Sequence, residues 1–258
     1  MAAFNQYAVL LRDAGSPNAD AVRRAFRTFS HLTDADAIRL AANAQGILQR
    51  HLSVDEAKAL QQALQVEGVK AALVKEEELR FLPASQTLHR IELAHDALVI
   101  HDLMGRASAV AWKDISLVAA GAVPHVEIGA TQTTRSRLGF QSLFGLSSKP
   151  AVETRHRLET ERHFILELIV GHGAARYEIR AHQFPFSFVL NQPTASTTEK
   201  FVWLVREMTR RAAQAGLNRG AQDIRDDVQL VRGYPSHQLL LDEMVWLLWS
   251  ARQRPVQS

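Results

Sequence analysis

Ser53-Val-Asp-Glu-Ala-Lys-Ala-Leu-Gln-Gln-Ala-Leu-Gln-Val-Glu-Gly-Val-Lys-Ala-Ala-Leu-Val74 holds a complete helix-to-strand transition within 22 residues. Ser53 and Glu56 stand at the spacing of a capping box, in which hydroxyl and carboxylate satisfy each other's orphan backbone N–H groups. Ala57, Leu60, Ala63 and Leu64 then repeat at helical intervals, and Gly68 supplies the stop. Val69–Val74 has the apolar character of a strand. Upstream, Tyr7-Ala-Val-Leu-Leu11 is a second strand-like run, closed by a loop in which Gly15 and Pro17 break regular structure. Val22, Ala25, Phe26 and Phe29 mark a helix, and Thr33 with Asp36 caps another that carries Ala37, Leu40 and Ala41. The order strand, three helices, strand predicts a small βαααβ domain over residues 1–80, one helical layer on a small sheet.

Glu76-Glu-Glu78 and Pro83-Ala-Ser85 mark a change of composition, after which short strand signals predominate. Leu88, Ile91 and Leu93, then Ala97–Ile100, Ala107–Trp112 and Ile115–Ala120 predict an antiparallel meander. Arg162–Val170 and Ala175–His182 flank Gly171-His-Gly173 as a hairpin, and a two-residue turn at His172-Gly173 would set His163 opposite His182. Phe184, Phe186 and Phe188 alternate as on one strand face. Ser196-Thr-Thr-Glu199 opens a helix with Phe201, Leu204, Val205, Met208 and Ala212 on its apolar stripe. The fold class expected is α+β, with a β-rich domain over 86–214, a long loop within it at 128–162, and a helical C-terminal extension over 215–258. That extension ends in a helix near His237–Gln253, expected either to pack on a sheet or to form a dimer seam.

The chain has 258 residues, of which 47% are hydrophobic and 22% charged, as expected of a globular protein and not of a disordered or collagen-like one. Its net charge of +3 is too small to signal nucleic acid, so no sequence-specific nucleic-acid partner is expected. Without cysteine there is no disulfide, thiolate metal site or thiol nucleophile. The apolar runs are interrupted by charge, Glu167 within Phe164–Val170 and Asp242-Glu243 in the last helix, and a cytoplasmic location is expected.

The string Tyr7–Asp13, Ser16-Pro17, Val22, Phe26, Phe29–Ala37, Leu40, Gly46 and Ser53–Ala57 resembles the fold shared by the Clp protease adaptor and the C-terminal domain of the ribosomal stalk protein. The resemblance implies a module that binds proteins. At the positions where the adaptor grips a peptide amino terminus this chain carries Arg12, Asp13 and Asn43; Asp13 suits an amino group, whereas Arg12 opposes one. Arg24 and Arg27, with Arg23 beside them, fall where the stalk domain presents its basic helix. Residues 86–214 resemble the pleckstrin-homology-like architecture, a set of short antiparallel strands followed by an amphipathic helix containing Trp203. Glu92-Leu-Ala-His-Asp96 stands where phosphoinositide-binding members carry basic residues, which argues against lipid recognition by that route.

No phosphate-binding glycine loop, HExxH or GxSxG pattern occurs, so the chain is expected to be a non-enzymatic interaction protein without a cofactor. Its partner-binding candidates are Arg12, Asp13, Arg23, Arg24, Arg27 and Asn43, with a protein as partner. The alternatives are a peripheral membrane contact through the basic, aromatic stretch 135–157, with Arg135, Arg137, Leu138, Phe140 and Phe144, or a metalloprotein or enzyme using histidines of the β domain, His163 and His182.

Overall fold

The structure, a computed structural model, describes residues 6–13, 15, 17–29, 32–79, 81–133, 153–190, 194–229 and 231–253; for 125–133 and 153–161 it describes the backbone. The first unit runs β1 (Tyr7–Leu11), α1 (Ala19–Phe26), α2 (Asp34–Ala42), β2 (Ile47–Leu52), α3 (Val54–Val66) and β3 (Ala71–Lys75). The capping boxes of Thr33 with Asp36 and Ser53 with Glu56 both form, and Asn18 caps α1. Gly68 ends α3 at φ +75°, a backbone angle that glycine adopts without steric cost.

β2 departs from the expected βαααβ order. It pairs with β1, giving an antiparallel sheet β2-β1-β3. Ile47-Leu-Gln-Arg-His-Leu52 lacks clean alternation because its pairing is irregular, with register shifts around Val9 and His51 at φ +59°. Helices α1–α3 bury Val22, Phe26, Ala37, Leu60 and Leu64 against one face of this sheet.

The second unit comprises β4 (Ser85–Thr87), β5 (Arg90–Leu93), β6 (Ala97–His101), β7 (Ala107–Ala111), β8 (Ile115–Thr133), β9 (Glu153–Val170), β10 (Ala175–Arg180) and α4 (Thr197–Arg211), then β11 (Gly216–Leu217), α5 (Arg219–Arg225) and α6 (His237–Gln253). Its strands form an antiparallel sheet β5-β6-β7 and a mixed sheet β11-β8-β9-β10-β4, in which β4 and β11 run parallel to their neighbours. Among the described residues the architecture is therefore α+β, with six helices and three sheets.

Two further expectations are corrected. The stretch 128–162 is not one long loop: β8 continues to Thr133 and β9 begins at Glu153, paired in unbroken register from Leu117↔Ile169 outward. Only 134–152 lies between them, outside the described residues. Polar and charged residues along these strands masked the two-residue period. Phe184, Phe186 and Phe188 do not share a strand, since Phe186–Phe188 is a single 3₁₀ turn. The strand has already ended at Arg180, and a turn at 181–183, closed by the Gln183 N–H to the Arg180 carbonyl at 3.0 Å, precedes the 3₁₀ turn; Pro185, without an N–H, could not resume a ladder. Phe184 and Phe186 are buried edge-to-face, with ring centroids 5.1 Å apart, while Phe188 is half exposed.

Alternation along β8 and β9 divides the mixed sheet into two apolar faces. Val118, Ala120, Leu166 and Leu168 meet Ile91, Leu98, Phe201, Leu204 and Met208 in the core beneath α4 and the β5-β6-β7 sheet. Leu117, Ala119, Ile165 and Ile169 meet Leu240 and Met244 of α6. The opposite side of α6 places Val245 and Trp246 against Ala8, Leu10, Ile47, Ala72 and Val74 of the first sheet. The last helix is thus a layer between two sheets, with Leu240, Met244, Val245 and Trp246 buried within the chain. Burying each contributes about 1.5–3 kcal/mol. No helix among the described residues is long and apolar enough to cross a membrane.

Candidate functional site

Two polar devices hold α6 in place and thereby shape the surfaces around it. Trp246, 3% exposed, donates its indole N–H to the Leu11 carbonyl at 2.7 Å. Its ring lies so close to Gly46 that a Cβ there would fall 2.6 Å from the indole, and Gly46 also has φ +78°. Less than one turn earlier on α6, Glu243 accepts from the Tyr234 hydroxyl at 2.6 Å and from the Arg219 backbone N–H at 3.0 Å. Asn218 joins this network: its Nδ2 donates to Tyr234 Oη and to the Ala120 carbonyl, and its Oδ1 accepts from the N–H groups of Ala120 and Ala221. Burial, then the neighbouring Glu243 carboxylate, push the Tyr234 hydroxyl well above its ordinary range, so it remains a proton donor. Arg50 on β2 reaches both Glu76 at 3.1 Å and Asp242 on α6 at 3.0 Å.

Most candidates of the first unit are engaged by nearby partners. Arg23 pairs with Asp20 at 2.9 Å, Arg24 with Glu67 at 2.7 Å and Arg27 with Asp34 at 2.9 Å, so the α1 basic face is matched by local carboxylates. Asp13 pairs with Lys70 at 3.4 Å, and Asn43 spends its Nδ2 on the Arg39 carbonyl of its own helix. No hydrogen bond links Asp13 to Asn43 among the described residues.

Arg12 is different. It stands at the mouth of a groove of about 1010 Å³ between the first sheet, the start of β8 and the C-terminal half of α6. Lys113 before β8, His172 in the β9–β10 turn and Arg252 at the end of α6 line the same groove, and Leu217 and Trp249 contribute to its apolar wall. Among the described residues lining it there is no Asp or Glu. Arg12, Lys113 and Arg252 form no ion pair among the described residues, in contrast to the arginines of α1. The Oγ of Ser250, also in the wall, is shielded from solvent and makes no hydrogen bond among the described residues. Such a surface suits a ligand that is both anionic and partly apolar.

The histidine pair forms in the expected register. The turn covers 171–174, four residues in place of two, but Val170↔Ala175 preserves the same pairing, and the His163 and His182 rings approach to 3.9 Å between centroids. The tightest grouping of metal-ligating types lies farther along the same face, where one ligand atom each from Glu167, Glu178 and His237 fall within 4.8 Å of one another. Glu167 and Glu178 are directly opposed across the ladder and both are buried. Arg176 binds Glu167 bidentately at 2.7 and 2.8 Å, His237 Nε2 lies 3.1 Å from Glu167, and Arg180 pairs with Glu178. Burial raises the Glu167 carboxyl, but hydrogen bonds from Arg176 and His237 outweigh it and hold the group below its usual range. Guanidinium groups thus occupy the carboxylate edges a metal would use, and the arrangement is a charge-balanced buried cluster that anchors the start of α6.

Lys113, Trp249 and Arg252 escaped the sequence reading because nothing local distinguishes them. Glu167 did leave a signal, a carboxylate inside an otherwise apolar strand, whose partners follow from the hairpin register. Arg135, Arg137, Leu138, Phe140 and Phe144 lie outside the described residues. Comparison of the chain with family models, with curated proteins and with solved structures finds no match.

Proposed function

We propose that the protein is a non-enzymatic interaction scaffold, an adaptor-like or stalk-like module over residues 1–80 displayed in a fixed pose by a pleckstrin-homology-like β domain. The observation that carries this reading is α6, which buries one side in each sheet and joins the two units by Trp246, Arg50 and Asp242. A module displayed for a partner has to hold its orientation, because each freely moving element ordered on binding subtracts from affinity. The outward helical layer of the first unit carries Ile38 and Val66 exposed beside the charge-matched α1 surface, a mixed apolar and polar character suited to protein contact.

The test is photo-crosslinking of the full chain with benzoylphenylalanine in place of Val66, or of Ile38, in extract of its source cells. A discrete adduct with one protein, competed away by unlabelled chain and reproduced by reciprocal capture, is the expected result. Absence of a competed adduct from both positions overturns the reading.

A further inference from the structure

We infer that the groove between the first sheet, the start of β8 and α6 is a docking site for an acidic peptide segment that carries apolar side chains, supplied by a partner protein. The inference rests on the interaction-scaffold reading and names the surface and the chemistry of what it binds.

Three features favour this occupant. Charge is the first: Arg12, Lys113 and Arg252 come from three distant parts of the chain, converge on one groove, and are unmatched by any Asp or Glu in its described lining. Several other guanidinium groups are neutralised within the protein, as Arg24 is by Glu67, Arg50 by Glu76 and Asp242, and Arg176 by Glu167. Cations gathered without carboxylates leave a positive potential that a low-dielectric wall focuses onto the groove.

The second feature is the wall itself. Trp249 and Leu217 add apolar surface to the lining that holds the cations, which a bare anion cannot use but interleaved Leu or Phe side chains can. Tryptophan and arginine together form the composition at which interface binding energy concentrates. Size is the third. At about 1010 Å³ the groove reaches the top of the roughly 300–1,000 Å³ range of small-molecule pockets, as an extended segment needs. Its walls belong to elements fixed by α6, so the groove exists before a ligand arrives and little ordering is required of the protein.

The experiment uses the full chain and a fluorescein-labelled eight-residue peptide, Glu-Leu-Glu-Phe-Glu-Asp-Leu-Glu, followed by anisotropy in about 50 mM salt. Saturable binding is expected, weakening as salt is raised. The same peptide with Gln and Asn for its acids, and a decathymidine oligonucleotide, are expected to bind at least about tenfold more weakly. Arg12→Glu, Lys113→Glu and Arg252→Glu should each weaken the acidic peptide about five- to tenfold, with circular dichroism unchanged because all three side chains are exposed. Arg23→Glu, at a matched cation away from the groove, should leave binding within about twofold.

The inference falls if the acidic peptide does not bind, if the oligonucleotide or the amide peptide binds as well, or if the three groove reversals leave affinity unchanged. Those results are separable from failure of the scaffold reading. A competed crosslink from Val66 with no peptide binding removes the groove assignment alone, whereas loss of the crosslinks removes the scaffold reading.

Discussion

Replacing Trp246 tests whether α6 joins the two units. The indole is buried, packs on the sheet face formed by Ala8, Leu10, Ala72 and Val74, and donates a 2.7 Å hydrogen bond to Leu11. Trp246→Phe retains most of the apolar volume but leaves the Leu11 carbonyl without its donor, a loss of about 1–2 kcal/mol. Trp246→Ala adds an unfilled cavity between α6 and the sheet, raising the loss to about 3–5 kcal/mol. The loss should be spatially uneven. Hydrogen exchange should accelerate in β1 and β3, whose outer face α6 covers, while Leu166 and Leu168 on the far side of the mixed sheet keep their protection. Urea unfolding followed by far-UV circular dichroism gives the magnitude, and exchange mass spectrometry gives the location. A destabilisation below about 1 kcal/mol for Trp246→Ala, or acceleration confined to α6, would refute the argument that this helix carries the union.

Gly46→Ala should cost about 2–3 kcal/mol, from positive φ and from the 2.6 Å approach to Trp246; in a double mutant with Trp246→Ala the steric part should vanish, so a thermodynamic cycle that comes out additive contradicts the contact. Tyr234→Phe removes the donor to buried Glu243 and an acceptor for Asn218, and an expected loss of about 1–3 kcal/mol is measured by the shift in urea midpoint at constant slope. Glu167 has a folded-state pKa below its unfolded value of 4.5, so its contribution is fully present above that pH and is lost as pH falls through the folded value. Glu167→Gln, which strands the buried Arg176, should therefore cost about 3–5 kcal/mol at pH 7, with the gap to the parent narrowing below about pH 4.5; a gap that widens on acidification is incompatible with the ion cluster. Because arginines already fill the carboxylate edges of Glu167 and Glu178, dialysis against EDTA should leave the thermal midpoint unchanged, and a fall of several degrees would instead place a metal there.

What could be read along the chain was what depends on near neighbours. The pairs Thr33 with Asp36, Ser53 with Glu56 and Ser196 with Glu199 form capping boxes because the chemistry is contained in four consecutive residues. The placement of His163 opposite His182 was legible for a related reason, since a short turn sets the register of everything on its two arms. β2 was missed because its irregular pairing to β1 erases the alternation that marks a strand. The aromatic triplet misled in the opposite sense, since the strand ends at Arg180 in a turn and Phe186–Phe188 winds into a 3₁₀ turn.

The basic face of α1 and the groove show the same limit in charge. Arg24 looks free along the chain because its partner, Glu67, is 43 residues away. Arg12, Lys113 and Arg252 look ordinary because their shared feature, the lack of any Asp or Glu among the described residues lining their surface, exists only once three remote segments meet. The caps, the helical stripes, the hairpin register and the α+β class could be read along the chain, because all follow from local hydrogen bonding and periodic burial. Tertiary structure alone decided that the last helix lies between two sheets, which arginines are neutralised and which are left facing a groove, because burial and ion pairing depend on distance in space and not on distance along the chain.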